Sequence, residues 1–582
     1  MRPDRAKVKP PAELIPQHIH ATVAATARQA GETTPMKGMM QHRPLRIIDI
    51  LLHAAEAFAD QGILSARDTG EIHSQSYPQT LARAARAAHA LRAMGIAQGD
   101  RVATLAWNGH RHLELYYAIS GMGAVCHTLN PRLPAEQLAY IIGHAGDSVL
   151  CVDASLLPVA EALRDALPAG LRVIVLSDAD AVPDTPLDAL CYEELLQGQP
   201  ASFDWPHLPE DTASGLCYTS GTTGHPKGAL YSQRSTVLHA LTVPLAQTSS
   251  FVAGRRMMPV VPMFHVNAWG LPYTAPLTGM TLVMPGPHLD GASLWRLMED
   301  THVYSSWGVP TVWAGLLSEI TAQGRAPSAF RDLIVGGSAA PPSMIEAYEG
   351  YGVTVSQAWG MTEMSPIGTH GMIPPPLQDA PLERQMPIKT SAGRRKFGLE
   401  FKIVDDHGTA MPHDGTATGE LYVRGNTVIS GYFRNDQASA AAMDAAGWFG
   451  TGDVASITAE GQLVIRDRAK DLVKSGGEWI SSIDLENAAI SHPSIQACAV
   501  IAVPHPKWDE RPVLVVVPQG DARPTLADIH AHMAPHFAKW QLPDDLLFVD
   551  ELPLTATGKI SKLSLRAQFA DYVLPDLREG TA

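Results

Sequence analysis

Cysteine is scarce: the 582 residues hold five (Cys126, Cys151, Cys191, Cys217 and Cys498), with no CxxC pair and no metal-ligand spacing. A disulfide framework and a zinc site are excluded, and buried thiols in a reducing, cytoplasmic compartment are expected. Basic excess is missing too. The 44 Lys and Arg stand against 59 Asp and Glu, a net charge of -15, which argues against general nucleic-acid binding because phosphate backbones need concentrated positive charge. No stretch approaches the roughly 18 uninterrupted apolar residues of a membrane helix, so no membrane span is expected. The 24 histidines include no HExxH cluster and read as mostly surface residues. Residues 1–45 hold several Lys, Arg and Pro but no apolar core, so they make no secretory signal. A disordered tail over 1–38 is expected, with an organellar transit peptide or a later start at Met36, Met39 or Met40 as alternatives.

What is present fits a soluble globular chain of more than one domain: 45% hydrophobic and 18% charged residues over a length too great for one ordinary core. From about Arg46 helical and strand-like patterns alternate, with helices at IIDILLHAAEAF, Tyr77–Met94, LELYYAISGMGA and Ala135–His144 around the strand VATLAW. Such alternation predicts a parallel α/β sheet. A second α/β unit is expected to start near Thr212, and a β-rich stretch at Glu400–Phe433, marked by Asp-His-Gly and Asp-Gly turns. After Asp467-Arg468 the pattern resets to a compact α+β set with helices at 483–491 and 525–537 and strands at 496–503, 512–517 and 546–549. The expected domains are therefore 39–469 and 470–582.

Residues 218–229, YTSGTTGHPKGA, follow the strand-like GLCY. They combine Gly221, Gly224 and Gly228 with the hydroxyls of Thr219, Ser220, Thr222 and Thr223, and with Lys227. Glycine lets consecutive N–H groups converge on an anion, hydroxyls add donors, and lysine supplies a point charge for phosphate oxygens. This composition suits a polyphosphate, yet GxxxxGK[ST] is absent, so the loop is no Walker A motif. The segment SQAWGMTEMSP (356–366) adds an aromatic face for a purine and a hard carboxylate for magnesium.

The loop resembles the signature of the adenylate-forming enzymes, which include acyl-CoA synthetases, luciferases and adenylation domains, and further motifs occur in that family's order. The resemblance implies an α/β fold: a large N-terminal domain of parallel α/β subdomains plus a β-rich subdomain, with a small mobile C-terminal α+β domain. It implies ATP, Mg²⁺ and CoA as cofactor and co-substrates, Trp359 and Gly360 at the adenine, Thr362 at the α-phosphate, and Glu363 with Thr219 at the metal. Gly337, Ser338 and Ala339 would flank the adenine, Asp453 would accept both ribose hydroxyls, and Arg468 would reach the ribose or phosphates. Lys559 in PLTATGKI matches the family's catalytic lysine, and Lys470 its hinge. Gly476, Gly477, Glu478 and Trp479 resemble the loop that enters the site for thioester formation. Dimers occur in the family, so a homodimer is a further expectation.

The segment 262–280, PMFHVNAWGLPYTAPLTGM, is apolar and carries no Lys or Arg for a second carboxylate, which points to a non-polar acid. By resemblance His265 would sit near the substrate carboxylate as a catalytic residue, and Trp269 would gate the acyl tunnel. NPRL (130–133) and AWGMTE (358–363) look closest to medium- and long-chain fatty-acyl-CoA ligases, in fatty acid metabolism, and to methylthio-propionate ligases. A ligase for another small apolar or aryl acid, or an enzyme that loads a carrier protein, stands as the rival reading.

Overall fold

The computed structural model describes residues 38–67, 69–219, 225–246, 250–476, 478–556 and 558–578. Ser220, Gly221, Thr222, Thr223, Gly224, Gly477 and all of the expected 1–38 tail except Gly38 therefore lie outside the described residues. The chain divides into two units, Met1–Arg43 and Pro44–Ala582, and the second carries every element below.

Its first sheet runs Ala189–Cys191, Arg172–Leu176, Asp147–Asp153, Arg101–Leu105, Val125–Thr128, Ala213–Tyr218 and Gly228–Ser232. All neighbours are parallel except the last pair, and parallel pairs need crossovers, which helices such as His110–Gly121 and Ala135–Ala145 supply. Tyr77–Ala93 starts at a reciprocal cap, Ser76 with Gln79, which satisfies orphan N–H groups at the helix start. The sheet corrects one boundary. Strand Ala213–Tyr218, expected to open a second α/β unit near Thr212, pairs in parallel with Val125–Thr128 and so completes the first.

The second sheet has thirteen strands among the described residues. Its centre is parallel, with strands such as Ser305–Gly308, Asp332–Gly336 and Thr354–Gly360 side by side. Asp332–Gly336 is buried at every position, as a strand covered on both faces must be. Beyond Ile367–His370 the sheet continues antiparallel through the β-rich strands Gly419–Gly425, Phe449–Ile457 and Gln462–Arg468. The helix Gln233–Ala246 contributes Val237, Ala240 and Val243 to one apolar cluster with Trp269, Trp307, Ile334, Ala358 and Ile367.

A third, five-stranded sheet is built from residues 473–548. Alternation along Asp509–Pro518 sends Leu514 and Val516 to one core and Val513 and Val515 to another, the period-two signature of a strand packed on both faces. The helix expected over 525–537 ends at Met533; Pro535, just past the C-cap Ala534, has no N–H with which to continue the helical hydrogen bonds.

Six histidines depart from the surface position expected of most. His110, His112, His127, His239, His370 and His505 are buried. Burial is tolerated where ring nitrogens find partners: His112 meets Trp107 O at 3.0 Å and Thr104 Oγ1 at 2.9 Å, and His127 meets Asp147 at 2.8 Å. All five cysteines are free and buried. No helix among the described residues is long and apolar enough to cross a membrane.

Candidate active site

The phosphate loop closes a hairpin between the antiparallel strands Ala213–Tyr218 and Gly228–Ser232. Thr219 N–H donates to Lys227 O at 2.9 Å, and Lys227 N–H to Thr219 Oγ1 at 3.4 Å, so the described ends of the loop are fixed to each other. The Lys227 ammonium lies 5.1 Å from the Tyr432 ring centre. Tyr432 in turn donates its hydroxyl to Glu363 Oε1 at 2.7 Å. One tyrosine thus joins the loop lysine to the candidate metal carboxylate.

Glu363 lies on the 3-10 turn Thr362–Met364 and is buried. Burial raises its pKa, against the hydrogen bond from Tyr432 and the charges of Arg468 and Lys227. Thr362 is held through its carbonyl, which accepts from Tyr231 Oη at 2.6 Å.

Sheet register builds the next part. Asp453 and Arg468 stand opposite each other on Phe449–Ile457 and Gln462–Arg468, and Arg468 Nε meets Asp453 Oδ1 at 2.8 Å. Trp359, at the end of Thr354–Gly360, donates its indole N–H to Asp453 Oδ2 at 2.8 Å. Base and ribose candidates are therefore adjacent, each oxygen of the carboxylate already holding one donor.

Lys559 arrives from the far end of the chain. Asn130 Nδ2 donates to Ala556 O at 3.1 Å, and Thr311 Oγ1 to Gly558 O at 3.0 Å. This seating lays the lysine over the turn after Asp332–Gly336: an added Cβ on Gly337, whose φ is +82°, would stand 3.1 Å from Lys559 Cε. Only glycine combines that left-handed backbone with that approach. Ser338 is exposed and Ala339 half-buried beside it. Burial, then the charge of Arg468, push the Lys559 pKa down to about 8, with Asp453 opposing.

His265 begins an unusual segment. Val266, Asn267, Ala268 and Trp269 take positive φ of 48°, 52°, 46° and 54°, a backbone costing roughly 1–2 kcal/mol per non-glycine residue. Buried polar contacts hold it. Asn267 Oδ1 accepts from Tyr116 Oη at 3.1 Å and Cys217 Sγ at 3.4 Å, and Asn108 Oδ1 accepts from Met263 N at 2.6 Å. The turn aims Trp269 at Gly336, where an added Cβ would stand 2.8 Å from its ring. Burial, and secondarily the Lys559 charge, lower the His265 pKa to about 3, so this imidazole is neutral at physiological pH.

The structure thus gathers the phosphate-loop ends, Gly337, Trp359, Thr362, Glu363, Asp453, Arg468, Lys559, His265 and Trp269. It does not gather the thioester-loop residues. Gly476 N–H bonds to Trp508 O at 2.8 Å, the Trp479 ring faces Lys474 Nζ at 5.8 Å, and Glu478 is exposed. Lys470 is exposed in the turn after Arg468, where Asp471 N–H bonds Arg468 O at 2.9 Å. Tyr432, Asn130 and Thr311 were not singled out as contacts from sequence; Asn130 lay in the quoted NPRL, but its partner is a backbone carbonyl at the other end of the chain.

Among the described residues no group of three or more His, Cys, Asp or Glu could hold a metal. Glu363 with the Thr219 hydroxyl is nevertheless the donor set a hard divalent ion takes when substrate phosphates complete its shell, and a buried carboxylate with a raised pKa favours a cation nearby.

Comparison with known proteins adds the following. The profile of the AMP-binding enzyme family matches residues 51–433, and that of the AMP-binding enzyme C-terminal domain matches residues 484–559. The chain is 46% identical over 540 residues to a 3-methylmercaptopropionyl-CoA ligase of Ruegeria lacuscaerulensis, covering 92% of this chain and 99% of the relative. It is 44% identical over 541 residues to a medium-chain-fatty-acid–CoA ligase of Ectopseudomonas oleovorans, covering 93% and 98%. The crystal structure of an anthranilate CoA ligase in complex with anthranoyl-AMP superposes with a TM-score of 0.81 at 24% identity, covering 91% of this chain and 99% of that one.

Proposed function

Because the chain belongs to the AMP-binding enzyme family, we propose that its gathered site joins an acid with an apolar chain to coenzyme A, with Lys559 and Glu363 serving the first of two half-reactions. It is an AMP-forming acid:CoA ligase that uses ATP and CoA. In the first half-reaction the carboxylate attacks the α-phosphorus of ATP and pyrophosphate leaves. In the second the CoA thiolate attacks the mixed anhydride and AMP leaves.

The observation that carries the division of labour is the seating of Lys559 over Gly337, within electrostatic reach of Arg468 and Asp453. There its ammonium faces the charge that grows at phosphorus, and fixed charge aimed at a transition state is where enzymes gain most. Lys227 and the loop hydroxyls steady the departing pyrophosphate, Trp359 and Asp453 hold adenosine, and neutral His265 offers the acid carboxylate a hydrogen bond rather than an ion pair. Glu363 and Thr219 would hold magnesium, which neutralises phosphate charge when bound. Rotation at Lys470, between bodies 39–469 and 470–582, would withdraw Lys559 and present Gly476, Gly477, Glu478 and Trp479. Five buried free thiols fit a cytoplasmic setting.

The acid is of medium or long chain, or a short apolar acid such as the methylthio-propionate named for one relative, since the segment around Trp269 is apolar. The test is CoA-dependent AMP release over a panel of such acids. AMP and thioester are expected in equal amounts; AMP release that needs no CoA would favour transfer to a carrier protein instead. Replacing Trp269 by Ala is expected to shift the preferred chain length and lower selectivity between neighbouring lengths roughly tenfold, the scale of a methylene's worth of pocket contact. An unchanged length profile would remove Trp269 from the acyl path.

A further inference from the structure

Lys396 is a buried charge that the adenylation chemistry does not use. It follows the strand Gly393–Arg395, its side chain is 3% exposed, and its backbone N–H is bonded to Gly368 O at 2.9 Å. Among the described residues its ammonium has one hydrogen-bond neighbour, Thr242 Oγ1 at the long distance of 3.4 Å, and no carboxylate pairs with it. The titratable groups that feel its charge are His239 on the helix Gln233–Ala246 and His370 on Ile367–His370. Burial alone pushes the lysine down to about 7. A buried ammonium without an anion is costly, and such charges are ordinarily paired.

Other polar atoms in this layer are also orphaned. Among the described residues Trp307 Nε1, His370 Nε2 and Ser250 Oγ are buried without hydrogen-bond partners. The Trp307 and His370 rings stack with centroids 5.7 Å apart, and Phe251, next to Ser250, meets Trp307 at 5.9 Å. Trp269 connects this group to the reaction site: it packs on Gly336 at one side and meets Trp307 at 6.5 Å. His239 lies against Gly270, the residue after Trp269. Around these polar groups stand Val237, Ala240, Val243, Ala358 and Ile367, all apolar and buried.

More than nine in ten buried polar groups find partners, so several orphans in one apolar layer, beside the segment that receives the acid, call for a partner from outside the chain. An ammonium and an indole N–H can only donate. The partner must accept, and the unpaired charge favours an anion. We propose that Lys396, with Trp307 and His370, binds the far carboxylate of an aliphatic dicarboxylic acid whose near carboxylate is adenylated. The proposal rests on the acid:CoA ligase reading and narrows its substrate class: the chain of the acid is apolar, and its end is charged. The segment 262–280 indeed offers no cation for that end; the cation comes from just past the end of an internal strand more than a hundred residues later.

The test measures CoA-dependent AMP release by the full-length enzyme with straight-chain monocarboxylic acids, the dicarboxylic acids of matching length, and the monomethyl esters of those dicarboxylic acids. At the best length the wild-type kcat/KM for the dicarboxylic acid is expected to exceed that for both comparators by about tenfold or more. Lys396→Met is expected to lower it about a hundredfold and abolish the preference, the scale of loss when one partner of a buried, hydrogen-bonded charge pair is removed. The ester comparison needs no mutation, so a variant that fails to fold leaves the wild-type preference to decide. Dicarboxylic acids used no better than their esters at every length, or an unchanged preference in Lys396→Met, would overturn the proposal. If monocarboxylic acids are then still consumed, the ligase reading stands; if no acid yields AMP with CoA, both fall.

Discussion

Lys559→Ala is expected to lower ATP–pyrophosphate exchange by about a hundredfold or more, while the variant still makes thioester from supplied acyl-adenylate and CoA. The magnitude is that of removing one preorganised charge from a developing transition state. The asymmetry follows from the seating. Lys559 lies over Gly337, its loop is bonded to Asn130 and Thr311, and its charge is felt by His265. In the proposed division of labour these groups serve the first half-reaction. Equal loss of both half-reactions would refute the division. The wild-type enzyme adds a pH signature. Burial and Arg468 lower the lysine pKa to about 8, so the cation is complete below that value and lost as pH rises through it. The kcat/KM for exchange, which reports the free enzyme, is expected to fall on the alkaline side near pH 8. That limb should be absent from the residual activity of Lys559→Ala.

Glu363→Gln is expected to have a comparable effect of a different kind: exchange about a hundredfold lower at ordinary magnesium, with the loss reduced as magnesium is raised. A neutral amide keeps the shape of the side chain but gives up the charge that attracts a hard cation. The variant Tyr432→Phe separates this role from packing. Tyr432 donates to Glu363 Oε1 at 2.7 Å, and this bond opposes the rise in carboxyl pKa that burial causes. Without it the pKa rises further. Because a carboxylate is present above its pKa and lost as pH falls through it, the acidic limb of exchange should move to higher pH in Tyr432→Phe. A purely structural tyrosine would lower activity without moving that limb. Magnesium dependence unchanged in Glu363→Gln would take the metal role away from this residue.

Much of this site was legible in the sequence because its parts are local strings. The Gly- and Thr-rich run, AWGMTE and GTGD are each only a few residues long; the strands Ala213–Tyr218 and Gly228–Ser232 flank the first, and the short turn Thr362–Met364 carries part of the second. The helices Ile47–Ala57 and Tyr77–Ala93 were likewise readable from their helical patterns. Pairings between distant segments were not. Strand Ala213–Tyr218 reads as the start of something new, yet hydrogen bonds to Val125–Thr128, and nothing in a strand's own residues names its neighbour. The positive-φ run Val266–Trp269 contains a β-branched residue where local preference forbids it; buried contacts from Asn108 and to Asn267 overrule that preference. The buried histidines and Lys396 were hidden for a related reason: polarity predicts exposure, and only tertiary packing reveals where it was overruled.

In the proposed reaction the acid carboxylate attacks the α-phosphorus of ATP to give an acyl-adenylate. Supplying the acid with heavy oxygen in its carboxylate and analysing products after a CoA-dependent turnover tests this directly. The label is expected in AMP and absent from pyrophosphate, because the oxygen that bonds to phosphorus stays with AMP when the thiolate takes the acyl group. Label-free AMP, or label in a phosphate released from the far end of ATP, would contradict it.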